Sequence, residues 1–323
     1  MYFALTLSLA SFAPAVLAAG QEDAQTTPPK RAHHALVYDG STRTIVLAGG
    51  STPLDGGDSS CFFDDVWRLD AGGWKLAGNS ADGRSGIALA YDSKRKKVYS
   101  LGGYTGGGRS RSEFRVLDGA SWTTLEDDPG LPLAELGLVY DSQRDRLVAF
   151  GGGAGDGKVN DETWEWDGER WQRFDGAGPE GRTGFAMVFD SARKKTVAFG
   201  GASARPGALL GDTWEFDGAA WTRVADDGPA PRASMGCAFD AHRAMLIVFG
   251  GRTKSGFTND TWGWNGEAWK QLAQDGPRAR AMGTLAYDET RERVVLFGGR
   301  FGWPNDANDT WEWNGSAWTE REP

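Results

Sequence analysis

The stretch NDTWEWNGSAWTE, residues 308–320, holds three tryptophans within eight residues, and it is one of six related segments. Three close copies are NDTWGWNGEAW (259–269), GDTWEFDGAAW (211–221) and DETWEWDGERW (161–171). Two looser copies are DDVWRLDAGGW (64–74) and SEFRVLDGASW (112–122). The final tryptophan recurs about every 49 residues, a period that identifies internal repeats, at Trp74, Trp122, Trp171, Trp221, Trp269 and Trp318.

Each repeat also has an upstream half. An alternating stretch ends in an aromatic residue and Asp, and a short apolar run such as TIVLAGG (44–50) then ends in two glycines. These patterns predict four strands per repeat. In TWEWD, alternation places Trp164 and Trp166 on one face of the third strand. A single such sheet cannot bury its own faces, whereas radial packing of the repeats around a channel can.

The Gly-Gly pair after an apolar strand, the aromatic third strand and the later tryptophan together resemble the kelch repeat. The resemblance covers residue 31 to about 320 and implies an all-β, six-bladed kelch-type β-propeller with four antiparallel strands per blade. It implies that the first strand lies nearest the channel. We therefore expect one domain, 31–323, in which no blade is shared between the two ends of the chain, with blades at about 31–78, 83–126, 133–175, 182–225, 232–273 and 280–321.

The N-terminal segment differs from the repeats. Residues 1–19 are apolar and uncharged, which predicts a signal peptide, and residues 20–30 form a polar linker. An uncleaved membrane anchor is the alternative, and no other stretch could cross a membrane. We therefore expect a monomer that is secreted, periplasmic or on the cell surface. The formal net charge of −9 argues against a nucleic-acid partner.

An arginine and an acid recur at matching positions. The arginines are Arg31, Arg84, Arg182, Arg232 and Arg280, and the acids are Asp65, Glu113, Glu162, Asp212, Asp260 and Asp309. Structural ion pairs explain both patterns, because guanidinium binds carboxylate in a bidentate manner. Convergence of the arginines on an anion, as in six-bladed sialidases, is the alternative.

Two repeats depart from these patterns. Repeat three has Leu133 in place of the recurring arginine. Repeat two has Arg115 in place of the first tryptophan and carries its aromatic residue one position earlier, at Phe114. A shift of one residue changes the face of a strand, so we expect a bulge or poorer packing there.

Galactose oxidase contains a kelch-type propeller, and its copper site needs histidine and tyrosine ligands. Here His33 and His34 are adjacent on a predicted strand and point to opposite sides, while His242 lies at the other end of the blade. The chain therefore resembles that propeller without its copper site, and we predict no metal, no cofactor and no catalytic residues. The acidic loops 53–60 and 155–162 match no defined calcium loop.

The loops that follow the Gly-Gly pairs vary in length and must all emerge on one face, where binding residues are usually found. They span 51–63, 104–112, 153–160, 202–210, 252–258 and 300–307. Trp303 is the only tryptophan outside the repeat pattern, so it is the first candidate for binding. The predicted site is Trp303, Arg300, Phe301, Asn305, Arg252, Lys254, Phe257, Tyr104 and Arg109. The alternative is that Trp303 covers the channel mouth.

The sequence thus favours a non-catalytic, secreted propeller that binds a protein or a carbohydrate through its variable loop face. A propeller-type enzyme acting on glycans, either a hydrolase or an oxidase, is the alternative and would need convergent carboxylates or a metal set. A structural module of a surface complex is the third possibility and would expose an apolar patch on the blade edges.

Overall fold

The structure, a computed structural model, describes residues 26–54, 60–79, 82–106, 109–131, 134–153 and 158–322. The predicted signal peptide and half of the linker lie outside these ranges. Six four-stranded antiparallel units follow one another along the chain, and each is built from one continuous stretch. The expected all-β, six-bladed propeller with four strands per blade is confirmed. The described residues contain no helix long and apolar enough to span a bilayer.

The innermost strands of blades 1 to 6 are Ala35–Asp39, Ala88–Asp92, Gly137–Asp141, Ala186–Asp190, Gly236–Asp240 and Thr284–Asp288. The second strands are Thr44–Ala48, Lys97–Leu101, Arg146–Phe150, Lys195–Ser203, Met245–Phe249 and Arg293–Phe297. The third strands are Asp65–Asp70, Phe114–Asp118, Thr163–Trp166, Leu209–Phe216, Thr261–Trp264 and Thr310–Trp313. The outermost strands are Gly73–Asn79, Ser121–Glu126, Trp171–Arg173, Trp221–Ala225, Trp269–Ala273 and Trp318–Arg321.

Short hairpins rise from the loops that follow the Gly-Gly pairs. They are Ser51–Pro53 with Ser60–Phe62, Tyr104–Thr105 with Arg109–Ser110, Arg252–Thr253 with Gly256–Phe257, and Arg300–Gly302 with Asn305–Asp306. In blade 4 the corresponding residues simply extend the second and third strands, and Arg182–Thr183 adds a further short strand. In blades 1, 2, 4, 5 and 6 the described parts of the variable loops are therefore paired extensions of the blades.

The hydrophobic core is divided among six clusters, one between each pair of consecutive blades. Between blades 5 and 6, Trp313 and Trp318 lie with their ring centroids 5.5 Å apart and pack against Phe249. The innermost strands contact each other around a complete circle, including blade 6 with blade 1. The tryptophans of the repeat thus pack between sheets, as the alternation in TWEWD predicts.

Most of the final tryptophans also bind the preceding blade by a hydrogen bond. The indole Nε1 of Trp318 donates to the Thr261 hydroxyl at 2.8 Å, and Trp74 donates to Thr310 at 2.9 Å across the closure between blades 6 and 1. Trp221 and Trp269 make the same bond to Thr163 and Thr213.

In five blades the Gly-Gly pair contacts the next blade at its recurring arginine. The amide of Gly251 donates to the carbonyl of Arg280 at 2.8 Å. A Cβ added at Gly250 would lie 2.6 Å from the same carbonyl oxygen, and Gly250 has a φ of +66°. Only glycine fits both the left-handed conformation and this close approach.

The bulge expected in blade 2 is present, but it is not specific to that blade. A register shift does occur at Phe114 and Arg115, but blades 1, 4 and 5 carry shifts at the equivalent place. Packing is not poorer at Phe114, which is buried and stacks on Tyr99 with a centroid distance of 5.2 Å. Phe114 occupies the repeat position that Thr163 holds in blade 3, so it fills the inter-blade space, and Trp171 consequently has no partner for its buried Nε1. Leu133 lies outside the described residues.

Candidate functional site

The recurring arginines are fixed inside the blades. Arg182 is fully buried and binds Asp212 through both terminal nitrogens at 2.9 and 3.1 Å, while Asp212 also accepts from the Trp214 indole at 2.7 Å. Arg31, Arg232 and Arg280 make the same bidentate pair. Burial alone would raise the pKa of Asp212, but the hydrogen bonds and charge of Arg182 lower it overall. The predicted structural pairs are confirmed for these four arginines, each within one blade. Arg84 donates one bond to Glu113 at 2.9 Å and also binds Asp82, and Glu162 is bound by Arg173 instead.

A collar of six main-chain hydrogen bonds surrounds the channel on the loop face. Each collar residue donates its amide to the carbonyl of the collar residue in the preceding blade, at distances from 2.6 to 3.4 Å. All six have φ between 54° and 67°. Four of them are not glycines, and strained left-handed residues of this kind cluster at functional sites. The collar residues are His33, Gly86, Glu135, Gly184, Ser234 and Met282.

Two collar side chains meet across the mouth. His33 Nδ1 lies 3.7 Å from Glu135 Oε1 above Gly86, where a Cβ would come within 3.4 Å of both Glu135 and Tyr104. Burial and the Glu135 carboxylate raise the pKa of Tyr104. Sequence reasoning missed this contact because it joins blades 1 and 3. His33 adopts a left-handed conformation before the strand, so the expectation that the two histidines share a strand is wrong.

Below the collar lies a cavity of about 170 Å³ that His34, Phe185, Cys237 and Thr284 help to line. His34 is buried against Phe297, and neither ring nitrogen has a hydrogen-bond partner. Burial, reinforced by the charge of Arg31, lowers the pKa of His34 to about 3. At neutral pH this imidazole is therefore uncharged.

The blade 6 hairpin presents Trp303 to solvent. Trp303 is 58% exposed, and the guanidinium carbon of Arg300 lies 4.7 Å from its ring centroid. Arg300 is fixed in turn by Asp306, to which it donates two hydrogen bonds at 2.6 and 3.1 Å. The indole is thus an exposed apolar surface that rests on an ordered cation.

Cations surround this hairpin. Arg278 and Arg280 both place their guanidinium carbons 4.7 Å from the Phe301 ring. On the neighbouring hairpin Arg252 and Lys254 are exposed, and the described part of the chain offers neither an acidic partner. We define the basic patch as Arg252, Lys254, Arg278, Arg300, Phe301 and Trp303. Sequence reasoning missed Arg278 because it precedes the repeat and lies outside every variable loop.

The predicted site residues fall into two groups. Arg300, Phe301, Trp303 and the exposed Asn305 share one hairpin, and Arg252, Lys254 and half-buried Phe257 share the next. Tyr104 instead lies on the blade 2 hairpin beside Glu135 at the collar. Arg109 pairs with Thr105 through its backbone, and its side chain is outside what the structure describes.

Residues 142–322, more than half of the chain, match the family model described as the KLHDC2/KLHL20/DRC7 Kelch-repeats domain. The chain belongs to the kelch-repeat family. No curated protein matches it. Among the described residues of this kelch propeller, no group of three or more His, Cys, Asp or Glu is arranged to hold a metal ion.

Proposed function

We propose that this kelch propeller is a non-catalytic, exported binding protein that holds a partner protein on its loop face, centred on Trp303. The observation that carries the proposal is the exposed indole stacked on Arg300, which Asp306 fixes by two hydrogen bonds. Likeness to galactose oxidase, in this proposal, extends to the scaffold and not to its chemistry.

The physical argument concerns the entropy of binding. A mobile side chain loses conformational entropy when a partner fixes it in one position, and this loss weakens binding. Here Arg300 already orders Trp303 from below, so less side-chain entropy is lost on association. Tryptophan and arginine dominate the energetics of protein interfaces because they combine large apolar area with directed polar contacts. The arrangement therefore supports an interface anchor.

Selection from a random peptide display library, with a glycan array in parallel, tests the proposal. We expect peptides to be enriched, and Trp303→Ala to weaken their binding by about 30-fold, as at an interface hot spot. Leu54→Ala is the matched control, because Leu54 is an exposed apolar residue in the corresponding loop of blade 1. Enrichment of glycans alone, or peptide binding unchanged by Trp303→Ala, would contradict the proposal.

Export is supported by the apolar, uncharged residues 1–19 alone. Expression of the full chain in a bacterial host with Edman sequencing of the recovered protein tests it. We expect a mature N-terminus near Gly20 in the exported fraction. Recovery of the chain in the cytosol with Met1 intact would contradict this part of the proposal.

A further inference from the structure

We infer that the partner segment held by the basic patch is acidic, with Asp or Glu side chains next to the residue that covers Trp303. This inference rests on the proposed function, because it specifies the chemistry of the protein partner.

The first support is the distribution of charge. The whole chain has 35 Lys and Arg against 44 Asp and Glu, whereas the six variable loops carry seven Lys and Arg against four Asp and Glu. Within the described parts of these loops Asp306 is the one acid, and it is already paired with Arg300. The described parts of the variable loops are therefore positive on an otherwise acidic molecule.

The second support is that three cations of the basic patch lack an ionic partner among the described residues. Arg252, Lys254 and Arg278 are exposed and make no ion pair, whereas the blades satisfy their buried arginines, for example Arg232 by Asp260. These three cations are therefore available to a partner. Guanidinium groups bind carboxylates in a bidentate manner, which gives them a preference for Asp and Glu.

The third support is that one segment contacts both hairpins of the basic patch. The amide of Arg280 donates to the carbonyl of Thr258 at 3.1 Å, at the base of the blade 5 hairpin. Arg278, two residues earlier, covers Phe301 on the blade 6 hairpin. The segment that carries Arg278 thus contacts the blade 5 hairpin through Arg280 and the blade 6 hairpin through the Arg278 side chain.

The charge pattern also determines how the partner approaches. An acidic segment is repelled by the chain as a whole, whose net charge is −9, and attracted by the basic patch. Complementary charge of this kind increases the rate of association and selects the docking orientation more than it adds affinity. The apolar contact with Trp303 then lowers the dissociation rate of the bound partner.

The test uses the full chain and the peptides that the display selection yields. We expect Asp and Glu to be enriched in them, and replacement of every Asp and Glu in the strongest peptide by Asn and Gln to weaken binding at least tenfold. Arg252→Glu/Lys254→Glu and, separately, Arg278→Gln should weaken the acidic peptide and leave its amide version unchanged. Lys97→Glu/Lys270→Glu is the control, because these exposed lysines lie on strands outside the variable loops.

The outcomes separate the two proposals. The selected peptides could need Trp303 but be neutral and bind the charge variants normally. That result would overturn the inference of an acidic partner and leave the proposed function intact. Failure to select any peptide overturns both. The acidic peptide, polygalacturonate and a single-stranded oligonucleotide could also bind equally well and lose binding in the same variants. That result would show that the patch attracts polyanions in general, and it would also overturn the inference. Thermal unfolding near the wild-type temperature establishes that each variant is folded.

Discussion

The Trp–Thr hydrogen bond shows how one residue contributes to two blades. Thr261 stands beside Trp262 in the third strand of blade 5, yet its hydroxyl accepts from Trp318 of blade 6. Both partners are buried, so the bond lies between sheets and away from water. Loss of either group leaves a polar atom without a partner in an apolar seam.

Thr261→Val removes the acceptor without changing the shape of the side chain. We expect it to lower the free energy of unfolding by about 1–3 kcal/mol, because the Trp318 indole N–H would stay buried without a partner. Chemical denaturation measures the change. Thr123→Val on the exposed outermost strand of blade 2 is the control, and an equal effect of both substitutions would contradict the explanation.

His34 predicts a pH dependence of stability. Its folded pKa of about 3 lies below the ordinary value of 6.5, so the unfolded chain binds a proton that the folded protein excludes. Stability is therefore lost as pH falls below 6.5, by up to about 1.4 kcal/mol per pH unit from this group. We expect His34→Leu to flatten that slope between pH 6.5 and 4 in denaturation experiments. Parallel slopes for the variant and the wild type would contradict the assignment.

Sequence reasoning succeeded where a residue and its partner lie within one repeat. Alternation places Trp164 and Trp166 on one face, and the recurrence of Arg182 with Asp212 predicts their pair. It missed contacts that exist only after the ring closes. Nothing local to Trp74 indicates that Thr310, far along the chain, accepts its hydrogen bond.

At the scale of the elements, the Gly-Gly turn leads from the second strand into the variable loop of the same blade. The turn also hydrogen-bonds the next blade, as Gly251 does. The first glycine comes so close to a neighbouring carbonyl that it tolerates no side chain, as at Gly250. The variable loop emerges directly after this point. The position of each hairpin is therefore fixed at its base, although its length and composition vary.

Gly250→Ala tests how much of that constraint comes from the neighbouring blade. Gly207 has a similar φ of +73° but no atom within 4 Å of an added Cβ, so Gly207→Ala reports the backbone strain alone. We expect Gly207→Ala to cost about 1–2 kcal/mol and Gly250→Ala clearly more. Calorimetry compares the two variants, and equal losses would contradict the role of the Arg280 carbonyl.

The sequence predicts where the variable loops lie but not their form. RFGWPNDA, residues 300–307, contains Gly and Pro, which predict a loop, yet Arg300–Gly302 pairs with Asn305–Asp306. The Arg300–Asp306 ion pair spans this hairpin and orients Trp303, which no periodicity indicates. The basic patch further depends on Arg278, whose position relative to Phe301 follows from the arrangement of two blades.

At the level of the whole molecule, the closure between blades 6 and 1 uses the same bonds as the other seams. Trp74 binds Thr310, and the amide of Gly299 donates to the carbonyl of Arg31 at 2.9 Å. Arg321 adds bonds to the carbonyls of Asp70 and Ala71. Closure by these contacts needs no exchange of strands between the ends of the chain.

A circular permutant tests whether the seam between blades 6 and 1 is equivalent to the other seams. Thr27 and Glu322 line the same small cavity, so a short linker can join the two ends. We expect a chain that is joined there and opened at the exposed residues 175–177 to unfold cooperatively near the wild-type temperature. Deletion of residues 280–322 is the contrast, because it exposes the apolar faces of blades 5 and 1 and should abolish cooperative unfolding. A permutant that fails to fold would show that closure depends on chain order.

The collar has a further consequence for how new specificities arise. Its hydrogen bonds use main-chain atoms alone, so the fold requires a left-handed backbone at these positions but not a particular side chain. The six repeats already hold five different residue types there, glycine occurring twice. The centre of the loop face is therefore a set of six variable positions on a constant frame, coupled where neighbouring side chains touch, as His33 and Glu135 do. A combinatorial library restricted to them would sample recognition surfaces while leaving the architecture intact.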